Sequence, residues 1–343
     1  MDLRMYAWAI AGAVALCAIV WFVIFVDKQG EPLLAGLKEF AQKLAFMANG
    51  AKGVPLAADA FKPLSCSSSV GGVATWTLMD IVLRVSADLY QAATTTTPFP
   101  DSAWSIVQTQ ELPYFCALQR LKLQGQSAIF IVFRGTANTK EFEINDFGLQ
   151  LVSQDASPGV QALIRHGVPM PFPPQVTLDG RKTLVPGEPA VSAAFYNTYE
   201  GPIRDEIENF LKTTKGGPKG LPVFIGGHSL GAAVAFICGA QLWRAGLVEK
   251  STDINIVTAA TPKPGNAAFR DFLTQFNCLS FANEADVIPW LPPSIIPSFN
   301  NVQSSYEYAA PPRQCLFSCP GTDLVGSHDH AAYRIGINLY KDV

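Results

Sequence analysis

The chain has 343 residues, 49% of them apolar and only 15% charged, with a formal net charge of −3. This balance excludes a disordered chain, a coiled coil and a charge-rich tail, and it leaves no basic surplus to neutralise a row of phosphates, so no nucleic-acid partner is expected. Seven cysteines are too few for a disulfide-built scaffold, and the four histidines (166, 228, 328 and 330) stand in no zinc-ligand spacing, so neither metal nor cofactor is expected.

Met5 to Val26 is a run of 22 residues without a charge. As a helix it would be roughly 33 Å long, enough for a hydrocarbon core of about 30 Å. Trp8 and Trp21 lie near its ends, where amphipathic rings favour the interface. The run exceeds the apolar region of a signal peptide, and no small-x-small site follows Val26. Residues 5–26 therefore read as a single-pass transmembrane anchor. Arg4 on one side and Lys28, Lys38 and Lys43 on the other leave its orientation open. Residues 27–63 read as a juxtamembrane helix and linker, and 64–343 as the main folded domain.

Leu78, Ile81, Val82, Val85 and Leu89 keep helical spacing and predict a helix over 74–91. Residues 116–121 and 127–133 predict strands, the second apolar on both faces and so covered on both. A helix carries Ile203, Ile207, Phe210 and Leu211. Strand 221–227, helix 230–247, strand 254–260, helix 267–276 and strand 278–282 follow. Buried strands alternating with helices imply an α/β domain with a largely parallel sheet flanked by helices. Cys116, Cys238 and Cys278 fall in apolar elements and read as buried thiols. Cys66, Cys315 and Cys319 fall in loop-like stretches, where a bridge can form in an oxidising compartment.

Gly227-His228-Ser229-Leu230-Gly231 matches G-x-S-x-G, with a strand ending at Gly227 and a helix beginning at Leu230. That setting is a nucleophile elbow, with Ser229 on the strand-to-helix turn. The chain order Ser…Asp/Glu…His selects a base from His328 and His330. His330 is the expected base and His328 the alternative. Among the acids between them, Asp286 lies just past a strand, where catalytic groups of open α/β sheets gather, and is the expected third member. The oxyanion donors expected are the backbone N–H of Leu230 and Thr136, which follows the strand ending at Phe133.

Phe133-Arg134-Gly135-Thr136, the elbow, Thr261-Pro262-Lys263-Pro264-Gly265-Asn266, Asn283-Glu284-Ala285-Asp286-Val287-Ile288-Pro289-Trp290-Leu291-Pro292 and Asp329-His330-Ala331-Ala332-Tyr333 occur in this order. Together they resemble the class 3 lipases, the fungal-type triacylglycerol lipase family of the α/β-hydrolase fold. The resemblance implies cofactor-free hydrolysis of lipid carboxylic esters, with Ser229, Asp286 and His330 as triad and Thr136 and Leu230 as oxyanion donors. Two other readings stand beside it: a catalytically silent lipid-binding protein of the same fold, and a serine hydrolase for thioesters or peptides. Val191-Ser192-Ala193-Ala194-Phe195, where the family commonly carries a His-x-Gly-Phe-like stretch, is the feature that favours the silent protein.

Overall fold

The computed structural model describes residues 69–95, 97–123, 125–138, 141, 175–213, 220–292, 294–297, 305–319 and 324–340. The expected anchor at 5–26, the juxtamembrane helix and His166 lie outside them. Among the described residues no helix is long and apolar enough to cross a membrane.

Helix α1 (Thr75–Thr94) precedes strands β1 (Ser105–Val107), β2 (Cys116–Leu123) and β3 (Gln126–Phe133). Helices α2 (Ala193–Tyr199) and α3 (Pro202–Thr213) lead to β4 (Val223–His228), then α4 (Leu230–Arg244) and β5 (Ile254–Ala259). Helix α5 (Ala267–Leu273), β6 (Asn277–Asn283), β7 (Gln314–Phe317), α6 (Leu324–His328) and α7 (His330–Tyr340) complete the order. The seven strands form one sheet in the order β7-β6-β5-β4-β3-β2-β1. From β3 to β7 every neighbouring pair is parallel, while β1–β2 and β2–β3 are antiparallel. The sheet is thus mixed, because short connections join its first three strands and an antiparallel pair needs no crossover.

From β3 to β6 the chain always steps one place in the same direction. With right-handed crossovers, every connecting helix then falls on the same face. Accordingly α2, α3, α4 and α5 pack with Ile129, Ile131, Val223, Ile225 and Ile256 on one side of the sheet. The other side, with Phe130, Val132, Phe224 and Val257, would be bare. It is covered by α1 and by α7, through Leu78, Leu89, Tyr333 and Ile337. Alternate residues of β3 therefore enter different cores, which is why that strand reads as continuously apolar. Each buried Ile or Phe contributes about 1.5–3 kcal/mol. Helix α4 is buried along most of its length, consistent with apolar residues around its whole circumference.

The edge strands depart from the sequence reading. Cys315, expected in a loop, sits buried in β7 and is disulfide-bonded. Its partner lies outside the described residues. Cys116, Cys238 and Cys278 are buried free thiols, and Cys319 is free and partly exposed.

Candidate active site

The elbow stands at the carboxyl end of β4, the central strand. Ser229 adopts φ 57° and ψ −127°, a conformation costing about 1–3 kcal/mol in a non-glycine residue. Its neighbours fix it there. Ser229 N–H donates to the Ala259 carbonyl (3.1 Å), and the Ser229 carbonyl accepts from Ala232 N–H (2.9 Å). The flanking glycines are steric requirements. A Cβ on Gly227 would collide with the Gly231 backbone, and one on Gly231 with the Arg134 carbonyl. Strand β3, the elbow and the first turn of α4 are thereby held in backbone contact.

Asp286 follows the end of β6 and is fully buried. Its Oδ1 accepts from Ile288 N–H (2.9 Å). Its Oδ2 accepts from the Tyr333 hydroxyl (2.8 Å) and lies 2.7 Å from His328 Nδ1. His328 Nε2 lies 2.9 Å from Ser229 Oγ. The hydroxyl, the imidazole and the carboxylate are thus in direct contact. With Asp286 ionised, the imidazole proton sits on Nδ1, and Nε2 is left to accept from the serine hydroxyl. Asn283 supports this arrangement from the last position of β6. Its Nδ2 donates to the Ser327 carbonyl (2.9 Å), just before His328, and to the Cys319 carbonyl (2.8 Å). Its Oδ1 accepts from Cys319 N–H (2.9 Å).

His330, the expected base, is not in this chain of contacts. Its Nε2 lies 3.1 Å from Ser86 Oγ on α1, and its ring stacks on His228 with centroids 4.0 Å apart. The correction has a simple cause. Asp329 separates the two short helices, its side chain accepting from Ala331 N–H (3.1 Å), and His330 begins α7. Residues two apart on helical backbone point to opposite sides, so only one of the pair can face Ser229. His228 takes no part in the Ser229–His328–Asp286 series but packs beside it, its ring centroid 4.8 Å from that of His328. Its Nε2–H donates to the His328 carbonyl (2.9 Å), and its ring meets Tyr333 edge-on.

The buried His228 and the partly buried His330 both disfavour a proton. Burial, with His330 and His328 nearby, holds His228 well below its ordinary pKa. Burial pushes His330 down to about 4; Asp329 opposes that shift and His328 adds to it. These groups are neutral in the folded chain and protonate near pH 6.5 when unfolded. The contribution of His330 is complete above that pH and is lost as the pH falls from about 6.5 to about 4, and that of His228 has the same sign. For His330 this amounts to about 3 kcal/mol over the window, with about 1 kcal/mol already lost at pH 5.5. The urea midpoint is expected to drop between pH 7.5 and pH 5.5, and a His330→Gln variant to show a shallower drop. Equal slopes in the two proteins would contradict this account.

The expected oxyanion residues flank the serine. Leu230 is the first residue of α4, where a backbone N–H has no intrahelical acceptor. Thr136 lies one residue past Gly135, whose Cβ position is 3.0 Å from Ser229 Cβ. Sequence reasoning missed the roles of Asn283 and of Arg134, although both stand inside motifs that it singled out. A buried amide or guanidinium at a strand end was the available signal. Among the described residues no cluster of three or more His, Cys, Asp or Glu side chains is arranged to hold a metal ion.

A sequence profile for the family Lipase (class 3) matches residues 130–295, which include the end of β3, the elbow and Asp286 but stop before His328. Over this stretch the chain is similar to the class 3 lipase family. The chain is 26% identical over 187 residues to a lipase of Rhizomucor miehei, covering 54% of the chain and 42% of that protein. It is 30% identical over 173 residues to phospholipase A1-II 4 of Oryza sativa subsp. japonica, covering 49% and 41%. It spans less than half the length of these curated relatives. A crystal structure of a lipase from Rhizopus microsporus var. chinensis is similar at 17% identity and a TM-score of 0.44, over 82% of this chain and 97% of that one.

Proposed function

We propose that this chain is a membrane-anchored serine hydrolase cleaving carboxylic esters of lipids through an acyl-enzyme. The observation that carries the reading is the contact series Ser229–His328–Asp286 beside a strained elbow. His328 Nε2 takes the hydroxyl proton as Ser229 Oγ forms its bond to the ester carbonyl carbon. Leu230 N–H and Thr136 hold the resulting oxyanion. His328 then gives the proton to the leaving alcohol, and the ester C–O bond breaks. Water, deprotonated by the same imidazole, releases the acid and restores the serine. Asp286 fixes the tautomer and stabilises the imidazolium without taking the proton.

The relatives named as lipase and phospholipase A1 support a lipid ester as substrate. The uncharged run 5–26 supports a single-pass anchor that holds the domain at a bilayer. The disulfide at Cys315 supports an oxidising compartment for the domain, on the side of the membrane away from the cytosol.

The test is turnover of a panel of p-nitrophenyl esters, phospholipids, thioesters and amides, with fluorophosphonate labelling. Ester hydrolysis and labelling are expected in the wild type, with turnover reduced by about 10⁴-fold or more in Ser229→Ala. An amide-only profile contradicts the lipase reading. Absence of Ser229-dependent turnover on every substrate favours the silent binding protein.

A further inference from the structure

We infer that Glu141, acting through Arg134, is a positioning residue that sets the direction of the Thr136 N–H, an inference resting on the oxyanion assignment above. Arg134 immediately follows β3 and is fully buried, and Glu141 is 2% exposed. A buried guanidinium must have its donors used, and here each nitrogen is engaged. Nη1 donates to Glu141 Oε2 (2.8 Å) and to the Gly135 carbonyl (2.6 Å). Nη2 donates to Glu141 Oε1 (2.9 Å) and to the Pro113 carbonyl (2.7 Å), and Nε donates to that same carbonyl (3.1 Å).

The bond to Gly135 is the informative one. The Gly135 carbonyl and the Thr136 N–H belong to one planar peptide unit and point in opposite directions. Drawing the carbonyl towards the guanidinium therefore turns the Thr136 N–H the other way. Glu141 also grips the far side of the same turn. Its Oε2 accepts from Ala137 N–H (2.8 Å), and its Oε1 accepts from Asn138 Nδ2 (3.0 Å). Asn138 Oδ1 accepts in return from Glu141 N–H (3.0 Å). The peptides on both sides of Thr136 are thus tied to one carboxylate, directly at Ala137 and through Arg134 at Gly135. Without that carboxylate the guanidinium loses its bidentate partner and its hold on the Gly135–Thr136 peptide. A flip of that peptide would present a carbonyl where the oxyanion needs a donor.

The experiment compares wild type with Glu141→Gln and Glu141→Ala in the full chain. It reads kcat and KM on a p-nitrophenyl ester and inhibition by a trifluoromethyl ketone, whose serine adduct carries the oxyanion. A loss of kcat of about 10- to 100-fold is expected, with KM within about twofold. Ketone affinity falls by a similar factor, and Gln, which keeps an acceptor for Ala137, is less affected than Ala. Where Ala does not fold, the near-isosteric Gln variant decides alone. Wild-type kcat and ketone affinity in folded Glu141→Gln overturn the inference, as does a kcat loss with unchanged ketone affinity. Ser229→Ala separates the levels. Turnover surviving in that variant removes the reading of the site itself, whereas its loss alongside an unaffected Glu141→Gln removes only the role of Glu141.

Discussion

Asp286→Asn is expected to lower kcat by about 10⁴-fold, near 5.5 kcal/mol of transition-state stabilisation, in a protein that still folds. The carboxylate accepts on both oxygens: Ile288 N–H on Oδ1, and the Tyr333 hydroxyl together with His328 Nδ1 on Oδ2. An asparagine has one accepting atom for these two sides. If its amide nitrogen faces Ile288, two donors meet. If it faces His328, the imidazole proton is driven to Nε2, which can then no longer accept from Ser229. The Ile288 N–H is fixed in the backbone and can only donate, so it keeps the amide oxygen on its own side; the nitrogen then faces His328, and the base is lost while the backbone remains. Steady-state kinetics on a p-nitrophenyl ester, with a thermal melt as control, checks this. A variant within about tenfold of wild-type kcat would show that the carboxylate does not set the tautomer.

The interior of the fold was legible because it rests on patterns that few alternatives satisfy. β3 is apolar on both faces since both are covered, and the G-x-S-x-G turn needs its glycines because backbone from β3 and α4 closes on it. The edges were not. β1 and β7 span only three and four residues, too short for a period of two to register, and Cys315 was accordingly read as a loop residue. Nothing in local sequence reports that Glu141 will fold back on Arg134, since the pairing is made by a turn and not by a regular element. The anchor lies outside the described residues.

The histidine assignment failed for a related reason. Asp329-His330-Ala331-Ala332-Tyr333 reads as one unit, and Tyr333 does reach Asp286. Which histidine faces the serine depends on where one helix stops and the next begins. Element boundaries are the least readable feature of a sequence. With α6 ending at His328 and α7 starting at His330, the first histidine meets Ser229 and the second meets Ser86 and His228.

The most direct measurement is therefore kcat of His328→Ala and His330→Ala side by side on one ester, each corrected for its folded fraction. Removing the imidazole that accepts the serine proton is expected to cost about 10⁴-fold or more. Removing its partly buried neighbour costs packing and a hydrogen bond to Ser86, so about tenfold or less in kcat is expected, with a lowered melting temperature. That ordering is the result the geometry predicts. An inactive His330→Ala beside a His328→Ala variant of near-normal kcat would contradict it.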